Sequence, residues 1–321
     1  MNATRRAILA APLLATPALA RAQSWPARPV RIIVPYPPGG PTDIAGRVVA
    51  AGLQAQLGQP AVVENRAGAS GVIGSGEVAR AAPDGGVFLV NASAHVIIPH
   101  LQPNMPFDAV GDFTPVTELV KVPLILVVNP SLPVNSVAEL IAMARAQPGR
   151  LSYASSSIGG APHLAGEMFK LMTGTNIAHV PYRGSGPALT DMVGGHVQVM
   201  FDSLASSAQH VREGRLRALA VSTAARIEAF PNLPTIAEAG VPGYEIATWY
   251  GMWGPKNLPD AIATRMQQAV AAVNATEEAR ARFTALGAQP VASPPAEFAR
   301  FVRSEHQRWG RLVRDANITA G

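Results

Sequence analysis

The sequence predicts an α/β protein of two lobes around a cleft. Three observations carry that prediction. Short Val/Ile-rich runs alternate with stretches of helical apolar spacing along nearly the whole chain, the pattern of parallel strands joined by crossover helices. Loops rich in Gly, Pro and Ser recur where a strand should end and a helix begin, at 35–41, 65–71, 155–161 and 183–186. After an N-terminal leader about 300 residues remain, enough for two lobes with buried cores.

Taken in order, Val30–Val34 is the first strand. Thr42 is placed to cap the next helix, which carries Ile44, Val48, Leu53 and Leu57 on one face and stops at Gly58. A strand at 61–64 leads through the glycine-rich loop 65–71 into a helix that ends at Pro83-Asp84-Gly85-Gly86, and 87–90 is the third strand. An irregular stretch, 99–115, precedes the apolar run 124–128. Ser136 and Glu139 form a capping box that opens a helix to about Gln147. A strand at 151–154, a small-residue loop and a helix with Pro162 in its first turn follow. The cycle repeats with strand 178–182, a helix to Val193, strand 196–201, a helix near 204–211 and strand Arg217–Val221. A Pro-rich connection, 226–243, leads to a strand at 245–253 and two or three final helices, the last capped by Ser293 and lined with Phe298, Phe301, Val302, Trp309 and Leu312. One lobe is expected to hold 23–122 plus 226–321, and the other 123–225. Two crossings between lobes make a hinge, and ligands sit in such clefts.

Residues 1–22 read as an export signal: Arg5 and Arg6, then no charge from Ala7 to Ala20, then small residues suited to cleavage. That apolar run is shorter than the roughly 20 residues a membrane span needs. Arg5-Arg6 also fits a twin-arginine leader, with an ordinary secretory leader as the alternative. The net charge of +5 includes Arg5, Arg6 and Arg21. The remaining basic residues are scattered, which argues against nucleic acid. No Cys occurs, so disulfides and thiol chemistry are excluded. No metal-ligand spacing and no G-x-S-x-G appears, and neither a cofactor nor a metal is expected.

The loops carry the functional signal. Pro38, Gly39, Gly40, Thr42 and Asp43 lie between a strand and a helix start, as do Ser155, Ser156, Ser157, Ile158, Gly159 and Gly160. A third such loop, Arg183 to Pro187, follows Tyr182. Helix N-termini offer unpaired N–H groups and a positive dipole end, and parallel sheets gather them at the carboxyl ends of the strands. Two lobes facing each other would clamp a small carboxylate. His163, at a helix start, reads as a capping or packing residue. Asp202 reads equally well as a ligand contact or as a cap for the following helix.

Several segments resemble the Bordetella-uptake-gene type of solute receptor of tripartite tricarboxylate transporters. They are Pro29 to Asp43, Val63 to Gly68, Leu151 to Ser155, Pro162 to Glu167, Val180 to Gly184, Met200 to Asp202, Leu216 to Val221 and Pro234 to Gly240. The resemblance covers nearly all the exported chain, in order. It implies a periplasmic-binding-protein fold of type II-like form, each lobe a mostly parallel sheet flanked by helices. It also implies a monomeric periplasmic receptor that captures a carboxylate (an amino acid, a di- or tricarboxylate or an aromatic acid) for membrane permease subunits. Carried residue by residue, it implicates Tyr36, Gly39, Gly40, Asp43, Ala69, Ser70, Ser93, 155–160 and Asp202. Ser157 stands where the family often has Gly, and Gly160 where it often has Ser or Thr. That exchange is expected to remove a contact and widen the site. The other readings are a ligand sensor for a signalling partner, and an exported serine hydrolase built on Ser155 to Ser157 with His163.

Overall fold

The computed structural model describes residues 25–318 except 103, 183 and 286. The expected export signal and the expected ligand residue Arg183 lie outside the described residues.

Strand β1 (Val30–Val34) is followed by helix α1 (Pro41–Leu57), strand β2 (Ala61–Asn65), helix α2 (Val72–Ala79), strand β3 (Val87–Ala92) and the short helix α3 (Ala94–Ile97). Strand β4 (Phe113–Val128) leads to α4 (Val137–Ala146), β5 (Ser152–Ser155), α5 (Ala161–Thr173), β6 (Ala178–Pro181), α6 (Ser185–Val193), β7 (Val199–Ser203), α7 (Leu204–Arg212) and β8 (Arg217–Val221). The chain ends with β9 (Ala247–Pro255), α8 (Asp260–Asn274), α9 (Glu277–Ala285), β10 (Gln289–Pro290) and α10 (Pro295–Asp315).

One mixed sheet runs through both lobes in the order β2-β1-β3-β9-β4-β7-β5-β6, with β8 and β10 also paired to β4. Each lobe keeps a parallel set, β2-β1-β3 and β7-β5-β6. Between them β9 and β4 run antiparallel to their neighbours. β4 pairs with β9 up to Pro123 and with β7 and β8 from Leu124 or Ile125 onward, so this one strand ties the lobes together.

The sequence reading shortened that strand. Pro115 and Pro123 look like breakers, yet Pro115 sits at a register shift against β9 and Pro123 at the last pair of that ladder. Proline is tolerated at such places because no ladder N–H is demanded there. Two caps also differ from expectation. Gly40 caps α1, with Pro41 at its first position and Thr42 already helical. Pro294 caps α10, while the Ser293 hydroxyl accepts the Glu118 N–H. The capping box at Ser136 forms as expected, its hydroxyl accepting from the Glu139 N–H at 3.1 Å.

The core is split by the sheet. On one face α1, α8 and α9 pack on Ile32, Val34, Phe88, Met252 and their neighbours. On the other, a continuous apolar body runs from Leu126, Phe169 and Phe201 to Trp249, Trp253, Phe298 and Trp309. The apolar stripe of α10 lies on it, and Glu305 at its centre accepts both the Trp249 and Trp309 indole N–H groups.

Candidate ligand-binding site

The carboxyl ends of β1, β3, β5, β6 and β7 all open toward one cavity of about 240 Å³. Tyr36, Pro41, Thr42, Ser70, Ala92, Ser93, Ala94, Ile98, Thr248 and Tyr250 line it from the first lobe. Ser156, Ser157, Ile158, Gly160, Ala161, Pro162, Ser185 and Ser203 line it from the second. None of these residues is charged. A more open groove of about 550 Å³, between Pro130, Val211 and Phe230, meets none of the strand-end loops.

Two helix N-termini bound the cavity, those of α1 and α5. Their first intrahelical bonds are Ile44 N–H to Gly40 O and Leu164 N–H to Gly160 O. The amides of Thr42 and Asp43, and of Ala161 and His163, therefore have no carbonyl partner in their own helices. Pro41 and Pro162 fit these first turns because they lack the N–H that would go unpaired. Gly159 has φ +72°, and a Cβ there would meet Leu101 Cδ1 of the other lobe at 2.7 Å. The positive φ and this close approach both favour glycine here. Ala69 and Ser70, at φ +46° and +54°, hold the left-handed region without glycine's freedom, a strain that clusters at binding sites.

Ser93 is the most telling residue. It lines the cavity and is 1% exposed, and its Oγ has no hydrogen-bond partner among the described residues. Behind it runs a chain of hydrogen bonds: Tyr36 donates to Asn91 Oδ1 at 2.9 Å, and Asn91 Nδ2 meets Ser75 Oγ and His95 Nδ1. His95 Nε2 lies 2.9 Å from Ala109 O, and burial lowers its pKa to about 4, keeping the ring neutral. Burial also raises the Tyr36 and Tyr250 phenols well above their ordinary value. Both remain hydroxyls at any physiological pH.

Of the residues expected from sequence, Tyr36, Thr42, Ser70, Ser93, Ser156, Ser157, Ile158 and Gly160 line the cavity. Pro38, Gly39, Gly40, Ala69 and Gly159 shape the loops behind it. The two acids are placed elsewhere. Asp43 accepts from Gly39 N–H, Arg47 and Asn65. Burial raises its pKa, but these donors outweigh that and hold it below the ordinary value. Asp202 is fully buried and accepts from the hydroxyls of Ser185, Ser206 and Ser207. Burial raises its pKa on balance, against those hydroxyl bonds. Ser155 is buried against His179, and Tyr182 donates to Asp191 at 2.7 Å.

The exchange at 157 and 160 has a local explanation. A Cβ on Gly160 would run into Ser157 Oγ. The serine hydroxyl thus fills the space that a side chain at 160 would take.

Sequence reasoning missed Thr248 and Tyr250. They alternate with Trp249 along β9, so Thr248 and Tyr250 meet the cavity while Trp249 faces the core. It also missed Ser203, which caps α7, whereas Ser185, at the start of α6, lies in the third loop that the sequence offers as an anion cradle.

Residues 45–318 match the tripartite tricarboxylate transporter family receptor, TctC. The chain is 39% identical over 320 residues to the protein BugT of Bordetella pertussis, covering 98% of each. The chain belongs to the tripartite tricarboxylate transporter receptor family. Among solved structures, R. palustris Rpa4515 with adipate is 40% identical with a TM-score of 0.81, over 92% of this chain and 99% of that one. MatC from Rhodopseudomonas palustris with bound malate is 31% identical with a TM-score of 0.77, over 90% and 100%. The periplasmic binding protein BugD is 32% identical, TM-score 0.78, over 92% and 99%. These relatives confirm the expected fold class. They are receptors rather than enzymes, which sets aside the serine hydrolase. Ser155 Oγ does lie 2.7 Å from His179 Nε2, but it is completely buried.

Proposed function

We propose that this receptor binds a small aliphatic carboxylate in the cavity between its lobes and delivers it to the permease subunits of a tripartite tricarboxylate-type transporter. The observation that carries the reading is Ser93: a buried hydroxyl without a partner costs about 1–3 kcal/mol until something hydrogen-bonds to it. The α1 and α5 N-termini supply a positive potential from both lobes, and hydroxyls on both walls supply donors. Ile98, Ile158 and Ala161 leave room for an apolar chain between polar ends. The solved relatives that carry adipate and malate support that chemistry.

The contacting set is Tyr36, Thr42, Ser70, Ser93, Ser156, Ser157, Thr248 and Tyr250, with Pro38, Gly39, Gly40, Ala69 and Gly159 shaping the loops. The lobes divide at 122/123 and 225/226, and the chain works as a monomer in the periplasm after loss of residues 1–22. No helix among the described residues is long and apolar enough to cross a membrane.

A thermal-shift series on the exported form tests this, with adipate, malate, monocarboxylates, amino acids and neutral sugars as candidates. Binding at 100 times the dissociation constant adds about 2.7 kcal/mol, a shift easily read. Stabilisation by a dicarboxylate, reduced in Ser93→Ala, is the expected result. Stabilisation by sugars alone would overturn the carboxylate reading.

A further inference from the structure

The lobe-2 segment 155–160 places four residues on the cavity wall, and it is held from behind by a stack of rings. His163 lies parallel to His179 with centroids 4.0 Å apart and planes 10° apart. Tyr153 covers the other face of His179 at 4.8 Å. Each imidazole bonds one end of the segment. Gly159 N–H donates to His163 Nδ1 at 3.1 Å, so Nδ1 carries no proton. His179 Nε2 lies 2.7 Å from Ser155 Oγ, and since the Ser155 hydroxyl donates to Ser157 O, the imidazole is the donor to it. Gly166 permits the arrangement, because a Cβ there would strike the Tyr153 ring.

We propose that His163 and His179 are positioning residues for the ligand: they fix the segment 155–160 at Gly159 and Ser155, and ligand affinity depends on both bonds. The proposal rests on the cavity being the ligand site. Neither ring touches the cavity, so each acts through the loop. The charged and titratable groups facing the pair are Glu167 and Lys170 on α5 and Tyr153 on β5. Lys170 and the Tyr153 hydroxyl both bond the Glu167 carboxylate. That carboxylate still favours charge on both rings and Lys170 opposes it, but burial outweighs it. Burial lowers the pKa of both histidines, and that of His179 to about 4. A proton on His163 Nδ1 removes the acceptor of Gly159 and sets a cation against the buried, neutral ring of His179. Acid should therefore release the loop.

Amide hydrogen exchange on the ligand-free protein tests the bond directly. His163→Phe keeps the stack without the acceptor, and Gly159 should exchange at least about tenfold faster, the scale of one lost hydrogen bond. His163→Asn, whose Oδ1 can take the place of Nδ1, should restore the protection. Unchanged exchange in His163→Phe overturns the proposal. With adipate as probe, His163→Phe should weaken binding about tenfold and His163→Asn much less. His179→Phe should likewise weaken adipate binding about tenfold and His179→Gln much less. Unchanged affinity in His179→Phe would overturn the proposal. If adipate fails to bind the wild type, that counts against the carboxylate reading, and the exchange result still decides the role of the histidines.

Discussion

Glu305 holds the last helix to the strand that carries Thr248 and Tyr250, and its removal gives a sharp prediction. One oxygen, Oε2, accepts from Trp249 Nε1 at 3.0 Å and from Trp309 Nε1 at 2.8 Å. Both tryptophans are 1% exposed, so neither N–H can turn to water. Glu305→Leu strands two donors at about 1–3 kcal/mol each, and the leucine, which adds little apolar surface beyond the glutamate methylenes, returns about 1 kcal/mol of apolar burial. The net loss is about 1–5 kcal/mol, or about 2–10 °C in melting temperature at about 2 °C per kcal/mol for a chain of this length. Glu305→Gln presents the same carbonyl acceptor to both indoles. It gives up only the contact of Oε1 with the partly exposed Arg308 at 3.5 Å, worth at most about 1 kcal/mol.

The assay is urea unfolding followed by tryptophan fluorescence and by circular dichroism. Shared midpoints between the two probes establish two-state behaviour before free energies are compared. The expected order is wild type, then Gln close behind, then Leu. Equal loss in Gln and Leu would show that charge, and not acceptor geometry, holds the helix. A leucine variant as stable as wild type would show that the indoles find other partners, and the reasoning would fail.

Glu118, buried in β4, is pushed up to about 7 chiefly by burial, with Lys121 opposing and Glu305 and Glu297 adding to the rise. Its folded pKa lies above the unfolded one, so the ionised form destabilises the fold above pH 7 and that cost fades as pH falls toward 4.5. Glu118→Gln should raise stability by about 1–2 kcal/mol at pH 8, with the gain shrinking to nothing near pH 4.5; an equal gain at both pH values would refute the assignment. Gly166→Ala brings a methyl group against the buried Tyr153 ring. It should cost about 1–3 kcal/mol despite alanine's better helix propensity, read as a lower urea midpoint. A neutral or stabilising result would mean that Tyr153 moves freely, contrary to its packing.

Much of the fold was legible because local signals coincide with the elements. β1 and β8 begin and end where the Val/Ile pattern says, and the Ser136 capping box opens α4 as its spacing requires. β4 was only half legible. Its prolines are harmless solely because β9, which enters more than a hundred residues later, shifts register opposite Pro115. Nothing local to residues 113–123 announces that partner. The same long-range pairing hid Thr248 and Tyr250 from the sequence reading. A strand's alternation shows two faces but not which one meets a cavity when both are buried.

The acids show the other boundary of sequence reasoning, and they explain why such a site suits an anion. Asp43 and Asp202 stand beside the right loops, and their type and place made them natural ligand contacts. Their local donors, Gly39 and Arg47 for Asp43 and Ser206 and Ser207 for Asp202, are joined by one each that local sequence does not pair with them: Asn65 on β2 and Ser185 on α6. A carboxylate facing the cavity would repel a bound carboxylate strongly at the low effective dielectric of a buried site. Here the Asp43 charge is taken up by Arg47, Asn65 and the Gly39 amide, and the Asp202 oxygens by three hydroxyls. The first lobe backs its wall with neutral His95, the second with His163 and His179, so both walls are stiff without adding charge. What remains at the surface of the cavity is helix N-termini, hydroxyl groups and apolar side chains, with no charge. Such a surface attracts an anion through fixed dipoles and can release it without breaking a buried ion pair, which is what a receptor that hands its ligand onward needs.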